Sequence, residues 1–150
     1  WSSDVCSSDL FIAGYTVHND ISGSGMIKED QGNFVRGKNM PASAPFGPFL
    51  ITPDEVPDPY AIDIKLSIDG RTLQDGSTST MLFKIAELIS YISKQMPLEP
   101  GDIIATGTPA GLAMMHTPSA WLKPGQTVRI ELEGLGILNN PIEQGVPFLE

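Results

Sequence analysis

Cysteine and positive charge are both scarce in this sequence. Its single cysteine, Cys6, can form neither an internal disulfide nor a thiolate zinc cluster. Nine lysine and arginine residues stand against 18 aspartate and glutamate residues, which gives a formal net charge of −9. Because phosphate groups are bound by clustered basic side chains and the nine here are scattered, the composition argues against nucleic acid as a partner.

Long apolar runs are missing too. No stretch reaches the roughly 20 residues that cross a bilayer, and no basic start followed by an apolar segment indicates a signal peptide. The sequence therefore predicts a cytoplasmic protein without a membrane partner. With 41% hydrophobic residues, a chain of 150 residues can bury one core, so one globular domain is expected.

Residues 1–10 are polar and aperiodic, unlike the chain that follows them. We interpret them as a non-native or disordered leader and place the domain at 11–150. On this interpretation the domain's own N-terminal part precedes Phe11, so that 11–150 is a partial domain.

Alternation of apolar and polar residues predicts most of the strands. They are expected at 11–17, 44–51, 62–68, 71–75, 127–132 and 134–138. A hairpin turn is predicted at Asp69-Gly70. The apolar run 103–105 predicts a buried strand, and the polar character of 23–33 predicts a long loop.

One substantial helix is predicted from apolar residues at three- and four-residue steps, namely Leu82, Ile85, Ile89 and Ile92. The small and hydroxyl residues of 76–80 are its N-cap candidates, and Pro97 lies beyond its end. Together the pattern predicts a mainly β (α+β) domain, a roll with one helix packed against it.

Two polar features follow predicted strands. Asp20 comes after Asn19 at the end of the first strand, where it is either a turn residue or a metal ligand. Residues 106–111, Thr-Gly-Thr-Pro-Ala-Gly, follow the apolar run 103–105. Glycine-rich turns of this kind can hold an anionic oxygen, because successive N–H groups converge on one point.

Several stretches together resemble the fumarylacetoacetate hydrolase family, specifically its C-terminal catalytic domain. The resemblance covers the chain from Phe11 to about Ile142 and depends on the order and spacing of five segments. They are Gly14-Tyr15-Thr16-Val17 with Asn19-Asp20, Gly37-Lys38, 44–48 (Ala-Pro-Phe-Gly-Pro), 103–111 (Ile-Ile-Ala-Thr-Gly-Thr-Pro-Ala-Gly) and 133–136 (Glu-Gly-Leu-Gly).

The resemblance implies a mixed β-sandwich roll, a homodimer, and one Mg²⁺ or Mn²⁺ ion. It implies small oxo-acid substrates. Asp20 is the implied metal ligand, joined in the family by two glutamates of an upstream E-x-E motif that lies outside this chain. Lys38 matches the family's catalytic lysine, which stabilises the developing enolate or oxyanion. Thr108 and Gly107 match the turn that holds the substrate carboxylate. Without the resemblance, Lys38 can equally be interpreted as a lysine of a surface loop, and Thr108 as a structural residue of a turn.

The chain departs from the family pattern after Asp20. The family commonly continues with an arginine and then a glutamine, which help to bind the intermediate and position water. Here Ser24 stands in place of the arginine and the glutamine is absent; Arg36 or Gln31 are the candidates to replace them. After Lys38, Met40-Pro41-Ala42 replaces the usual Phe-Asp-Thr. These departures point to a different substrate or a different reaction.

Other acidic and histidine residues have simpler interpretations. Glu131 and Glu133 alternate along a predicted strand and are expected on its solvated face rather than in a metal site. His18 is expected as a packed strand residue, with a general base coming from outside the chain. His116, in the loop after 106–111, is a weaker candidate for the mouth of the substrate site.

The leading functional hypothesis is a divalent-metal-dependent hydrolase of C–C bonds in 2-oxo or 2,4-dioxo acids, of the acylpyruvate type. A decarboxylase, isomerase or lyase of the same family is the nearest alternative, since all of these pass through an enolate. A catalytically inactive fragment or binding module is the alternative from another class, because the upstream ligands are not in the chain.

Overall fold

The computed structural model describes residues 8–145. The leader predicted at 1–10 lies mostly outside these residues. In the described part of it, Asp9–Phe11 forms one turn of 3-10 helix.

A four-stranded antiparallel sheet forms the main layer, in the order β4-β3-β5-β6. Its strands are β3 (Asp63–Ile68), β4 (Arg71–Ser77), β5 (Thr127–Leu132) and β6 (Gly136–Pro141). All four were predicted: β3 and β5 from alternation, β4 as the returning strand of the hairpin and β6 as a strand that pairs back with β5. Asp69 and Gly70 join β3 to β4 with φ angles of 50° and 83°, the left-handed conformation that a tight hairpin turn requires.

A two-stranded antiparallel sheet faces this layer. It contains β1 (Tyr15–His18) and β2 (Phe46–Ile51). β2 lies within the strand predicted at 44–51, whereas β1 begins four residues later and ends one residue later than the strand predicted at 11–17. Val17 of β1 is fully buried and belongs to one apolar cluster with residues of β5 and the connecting segments, namely Val56, Ile62, Val128, Ile130 and Leu135. The predicted α+β roll with antiparallel sheets is therefore confirmed.

The predicted helix is present, but it begins later than expected. Helix α3 (Ile85–Ser93) has Lys84 as its N-cap, and the Lys84 N–H donates to the Glu87 carboxylate at 2.7 Å. The prediction that 76–80 caps it was wrong, because Ser77 ends β4 and accepts from the Ser79 N–H in a separate 3-10 turn, Thr78–Thr80. In the described part of the chain, no helix combines the length and apolar character that crossing a membrane requires.

The predicted loop at 23–33 was wrong. Two short helices occupy this region, α1 (Ser24–Glu29) and α2 (Phe34–Lys38). Helices of five or six residues are unstable alone, so contacts between the two must maintain them. Gly23 N–H donates to the Gly37 carbonyl at 2.8 Å, and Arg36 is ion-paired to the end of α1.

The buried strand predicted at 103–105 is also wrong. These residues have no regular secondary structure, and the Ile103 side chain is 54% exposed. An apolar run becomes a strand only where another strand accepts its backbone hydrogen bonds, and within residues 8–145 none does so here. The run instead lines an open concavity.

Candidate active site

An open concavity of about 2740 Å³ carries all four residues predicted to form the site: Asp20, Lys38, Gly107 and Thr108. Its walls are largely apolar, with polar groups at the end of β1, the end of α2 and the turn at 106–109. Ordinary ligand pockets measure about 300–1,000 Å³, so a small acid would occupy only part of this space.

Asp20 and Lys38 form an ion pair on this concavity. The Lys38 Nζ donates to the Asp20 Oδ2, and the two side chains are 32% and 48% exposed. Among residues 8–145, the Asp20 carboxylate accepts from Lys38 and from no backbone N–H. The structure thus brings the predicted metal ligand and the predicted catalytic lysine into contact.

The position of Asp20 is set by its neighbour. Asn19 is 7% exposed; its side-chain amide donates to the Asn140 Oδ1 at 2.9 Å, and its backbone N–H donates to the Pro45 carbonyl at 2.9 Å. These bonds hold the end of β1 against β6 and the segment before β2. Asp20 is the next residue and is exposed.

The position of Lys38 depends on the packing of α1 against α2. Gly37 is buried, and a Cβ there would lie 2.4 Å from the Ile27 Cγ1 and 2.9 Å from the Gly23 carbonyl oxygen. Only glycine permits this approach, which brings the C-terminal end of α2 close to β1. Lys38 is the last residue of that helix.

Arg36 does not reach the concavity. Its guanidinium binds the Asp30 and Glu29 carboxylates at 2.8 Å each, and these contacts raise its pKa. The same bond from Arg36 lowers the pKa of Asp30. Gln31, the other candidate to replace the missing family residues, does line the concavity.

The turn at 106–111 is held from β4. The Gln74 side chain, 6% exposed, donates from Nε2 to the Thr108 Oγ1 and to the Pro109 carbonyl, both at 2.8 Å. A Cβ on Gly111, whose φ is +104°, would lie 2.1 Å from the Leu73 carbonyl oxygen. Sequence reasoning missed Gln74. A glutamine among buried strand positions was the available signal, since buried polar groups need partners.

Thr108 and Gly107 share the concavity with Asp20 and Lys38, but no hydrogen bond joins the two pairs among residues 8–145. Thr106, Gly107 and Thr108 are exposed. Both pairs therefore line one open concavity.

The two histidines differ in position. His18 is half-buried on β1 and lines the concavity. His116 Nε2 lies 3.0 Å from the Gly111 carbonyl oxygen, and the ring is not part of the concavity wall. His116 therefore contacts the turn rather than the mouth of the site. Tyr15 also lines the concavity, and burial, followed by the nearby Asp9 and Tyr60, raises its pKa.

The described residues do not by themselves fit a divalent cation. Mg²⁺ and Mn²⁺ require several oxygen ligands, and within residues 8–145 no group of three or more histidine, cysteine, aspartate or glutamate side chains could hold one. Asp20 offers one carboxylate. Glu131, on β5, is ion-paired with Arg129 at 2.7 Å, as expected for a solvated face.

The sequence model of the family described as "Fumarylacetoacetate (FAA) hydrolase C-terminal" matches residues 7–143. Similar curated proteins include one from Burkholderia cenocepacia (strain HI2424), printed as "Putative hydrolase". It is 49% identical over 127 residues, which are 84% of this chain and 45% of that protein. A relative from Burkholderia ambifaria (strain MC40-6) is 48% identical over 127 residues, again 84% of this chain and 45% of that protein.

Solved structures of similar fold carry related names. The fumarylacetoacetate hydrolase from Exiguobacterium antarcticum has a TM-score of 0.90 and 33% identity, covering 95% of this chain and 50% of that one. The 5-carboxymethyl-2-hydroxymuconate delta-isomerase from Mycobacterium smegmatis has a TM-score of 0.84 and 33% identity, and the match covers 97% of this chain and 54% of that one. The 2-hydroxyhepta-2,4-diene-1,7-dioate isomerase from Mycobacterium marinum has a TM-score of 0.84 and 33% identity, and the match covers 95% of this chain and 52% of that one.

The chain combines two facing antiparallel sheets with an acid–lysine pair and a glycine-rich turn on one concavity. The chain belongs to the fumarylacetoacetate hydrolase family. It spans about half the length of the relatives it matches.

Proposed function

We propose that this chain is the catalytic part of a divalent-metal-dependent hydrolase that cleaves C–C bonds in small 2-oxo or 2,4-dioxo acids of the acylpyruvate type. The observation that carries the proposal is the Asp20–Lys38 pair on the same concavity as the turn at 106–109. An anionic ligand between them would meet a cation at one end and a hydroxyl with a backbone amide at the other.

Lys38 is assigned the catalytic role. When the C–C bond next to a carbonyl breaks, negative charge develops on the carbonyl oxygen as an enolate. An ammonium group on the wall of a largely apolar concavity stabilises that charge, and such electrostatic stabilisation is commonly a large term in catalysis. The Lys38 Nζ donates to the Asp20 carboxylate, which places the ammonium group at the end of β1.

Thr108 and Gly107 are assigned to the substrate carboxylate. Both are exposed on the concavity, and Gly107 has a φ of +107°, a conformation that brings backbone N–H groups of a turn toward one side. The Thr108 hydroxyl adds a side-chain donor. One carboxylate can therefore receive two hydrogen bonds.

We assign Asp20 as one ligand of a Mg²⁺ or Mn²⁺ ion, with the remaining ligands and the general base coming from outside the described residues. The hard carboxylate oxygen is suited to either ion. The net charge of −9 favours a small-molecule over a nucleic-acid partner. We also propose a cytoplasmic homodimer, which stands on the family resemblance.

Calorimetric titration of Mn²⁺ tests the metal assignment. We expect the 150-residue chain alone to bind Mn²⁺ weakly and the full protein, expressed from its complete coding sequence, to bind it tightly. Asp20→Asn should weaken the tight binding by at least tenfold, whereas Asp63→Asn, on the exposed start of β3, should leave it unchanged. Tight binding by the short chain would contradict the view that further ligands are needed.

A substrate panel tests the reaction. The full protein is incubated with acetylpyruvate, longer acylpyruvates and oxaloacetate, and the products are separated and identified. Release of pyruvate and the matching carboxylic acid is the expected outcome. Carbon dioxide from oxaloacetate would indicate a decarboxylase instead, and no turnover of any member would favour a binding module or inactive fragment.

An isomerase is the second candidate, because two of the structures described above are named as isomerases, one of 5-carboxymethyl-2-hydroxymuconate and one of 2-hydroxyhepta-2,4-diene-1,7-dioate. The position of Ser24 supports it, since this small residue lines the concavity where the family commonly has arginine. Incubation with 2-hydroxyhepta-2,4-diene-1,7-dioate separates the two reactions. Isomerisation shifts the absorbance of the conjugated diene without forming pyruvate, whereas C–C hydrolysis splits the carbon chain.

A further inference from the structure

A β-bulge in β4 aims a buried glutamine at the turn that carries Thr108. Leu66 of β3 pairs with Gln74, but the next residue, Ser67, pairs with Thr72, so Leu73 is the extra residue of the bulge. Leu73 and Gln74 are both buried at this bulge. Bulges commonly redirect a side chain.

The orientation of the Gln74 amide follows from its partners. The Pro109 carbonyl is an acceptor only, so the group 2.8 Å from it must be the NH₂ of Gln74 and not its oxygen. The second hydrogen of that NH₂ lies toward the Thr108 Oγ1, also at 2.8 Å. The Thr108 hydroxyl is therefore the acceptor in this bond.

An accepting hydroxyl keeps its own proton for another partner. Within residues 8–145, the Thr108 hydroxyl donates to no protein acceptor, and Thr108 is exposed on the concavity. The proton is thus available to a ligand. Free hydroxyls rotate and can present either a lone pair or a proton, but this one has a lone pair engaged by Gln74.

We propose that Gln74 is a positioning residue, which engages one lone pair of the Thr108 hydroxyl, leaves its proton to donate toward the concavity and so favours ligands that present a carboxylate oxygen there. The identity of that carboxylate as part of an oxo-acid rests on the proposed function. Gln74 is 6% exposed, and its assigned role is to act through Thr108.

Gln74→Glu tests this role, because it keeps the shape of the side chain and reverses its hydrogen bonding. At neutral pH the new carboxylate would accept the Thr108 proton and turn it away from the ligand. For the full protein acting on acetylpyruvate, we expect KM to rise about 10- to 100-fold, because the variant loses a hydrogen bond to a charged group of the substrate. We expect kcat to change by less than about threefold.

Acidification should reverse the effect of Gln74→Glu. Once the introduced carboxyl is protonated, it can donate to the Thr108 Oγ1 again, so the ratio of variant to wild-type KM should fall toward one. Taking the ratio at each pH cancels the titration of Asp20, Lys38 and His18, which line the same concavity in both proteins. A residue with a merely structural role would give a ratio that does not depend on pH.

Three further variants complete the test. In a Thr108→Val background, Gln74→Glu should raise KM no further, because the hydroxyl it acts through is gone. Gln74→Met, which removes the hydrogen-bond donor without adding charge, should raise KM by about threefold with no pH dependence. If Gln74→Glu does not fold, Gln74→Met still tests whether the bond to Thr108 affects KM. Gln95→Glu, exposed after helix α3, adds the same charge elsewhere and should leave KM unchanged.

Calorimetric binding of acetylpyruvate to the same proteins separates this inference from the proposed function. Binding that weakens in Gln74→Glu without any turnover in the wild type would support the role of Gln74 and contradict the hydrolase. Turnover with a KM that is unchanged in Gln74→Glu and Gln74→Met, or a rise that persists in the Thr108→Val background, would overturn the role of Gln74. Absence of acetylpyruvate binding in the wild type would overturn it as well.

Discussion

The four-stranded sheet and the face that carries the candidate site are stabilised in different ways. In the sheet, continuous backbone ladders join β3 to β5 and β5 to β6, and Val128 and Ile130 of β5 are 2% and 5% exposed. The site face has a two-stranded sheet, two short helices and a turn without regular structure. Its polar residues are placed by single side-chain contacts between distant parts of the chain.

Those contacts join residues far apart in sequence: Asn19 with Asn140, Gln74 with Thr108, and Asp20 with Lys38. Each can be removed without breaking a ladder. We therefore expect substitutions in the four-stranded sheet to reduce stability. Substitutions on the site face should reduce ligand binding or turnover with little loss of stability. Four substitutions test this division, in order of decreasing expected effect.

Ile130→Ala should have the largest effect, on stability. Its side chain is in the apolar cluster between the sheets, so the change removes buried methyl groups and leaves a cavity. We expect the free energy of unfolding to fall by about 2–5 kcal/mol in urea titrations. Ile137→Ala, on neighbouring β6 and 38% exposed, is the control and should cost much less. Equal losses would mean that the cluster is not the core.

Lys38→Met should affect turnover and leave the fold intact. Removing one group that stabilises developing charge typically lowers kcat about 10²- to 10³-fold. Because the pair with Asp20 is partly exposed, the loss of stability should stay below about 1 kcal/mol. Steady-state kinetics with acetylpyruvate and urea unfolding measure the two quantities. Lys65→Met, on the outer surface of β3, is the control and should keep its turnover. A Lys38→Met protein with wild-type turnover would contradict the catalytic role assigned to Lys38.

Gly111→Ala should combine both kinds of effect. A residue with a side chain at a φ of +104° costs about 1–3 kcal/mol, and the added Cβ would also collide with the Leu73 carbonyl oxygen. Gly125→Ala meets open space at a φ of +88° and incurs only the conformational cost. We expect Gly111→Ala to be the less stable protein in thermal unfolding and to bind acetylpyruvate more weakly. The same melting temperature in both would show that the turn does not depend on contact with β4.

Arg36→Met should have the smallest effect, and one that depends on pH. Because the bond from Arg36 lowers the pKa of Asp30, the pair contributes stability above the ordinary carboxyl pKa of 3.8, and that contribution is lost as the pH falls through the lowered value. The melting temperatures of wild type and variant should differ slightly near neutral pH and converge in acid. Arg71→Met, without an ion pair among residues 8–145, should show no such convergence. A difference that grows in acid would contradict the assignment.

Sequence reasoning predicted the sheet well and the site face only in part. Alternation identified β3 and β5 because a strand with one buried face leaves a period of two in the sequence, and β4 and β6 were predicted as the strands that pair back with them. It failed at 103–105, since apolar content alone does not supply a pairing strand, and at 23–33, where contacts between Gly23 and Gly37 maintain helices that local propensity does not favour.

The sequence by itself determined the family, the roll of antiparallel sheets and the candidate residues Asp20, Lys38, Gly107 and Thr108, because these depend on local patterns and on the order of short segments. Only the tertiary structure decided that Lys38 binds Asp20 and that Gln74 engages Thr108. Both contacts depend on backbone geometry with no local signature: the close approach of Gly37 to α1 in the first case and the bulge at Leu73 in the second.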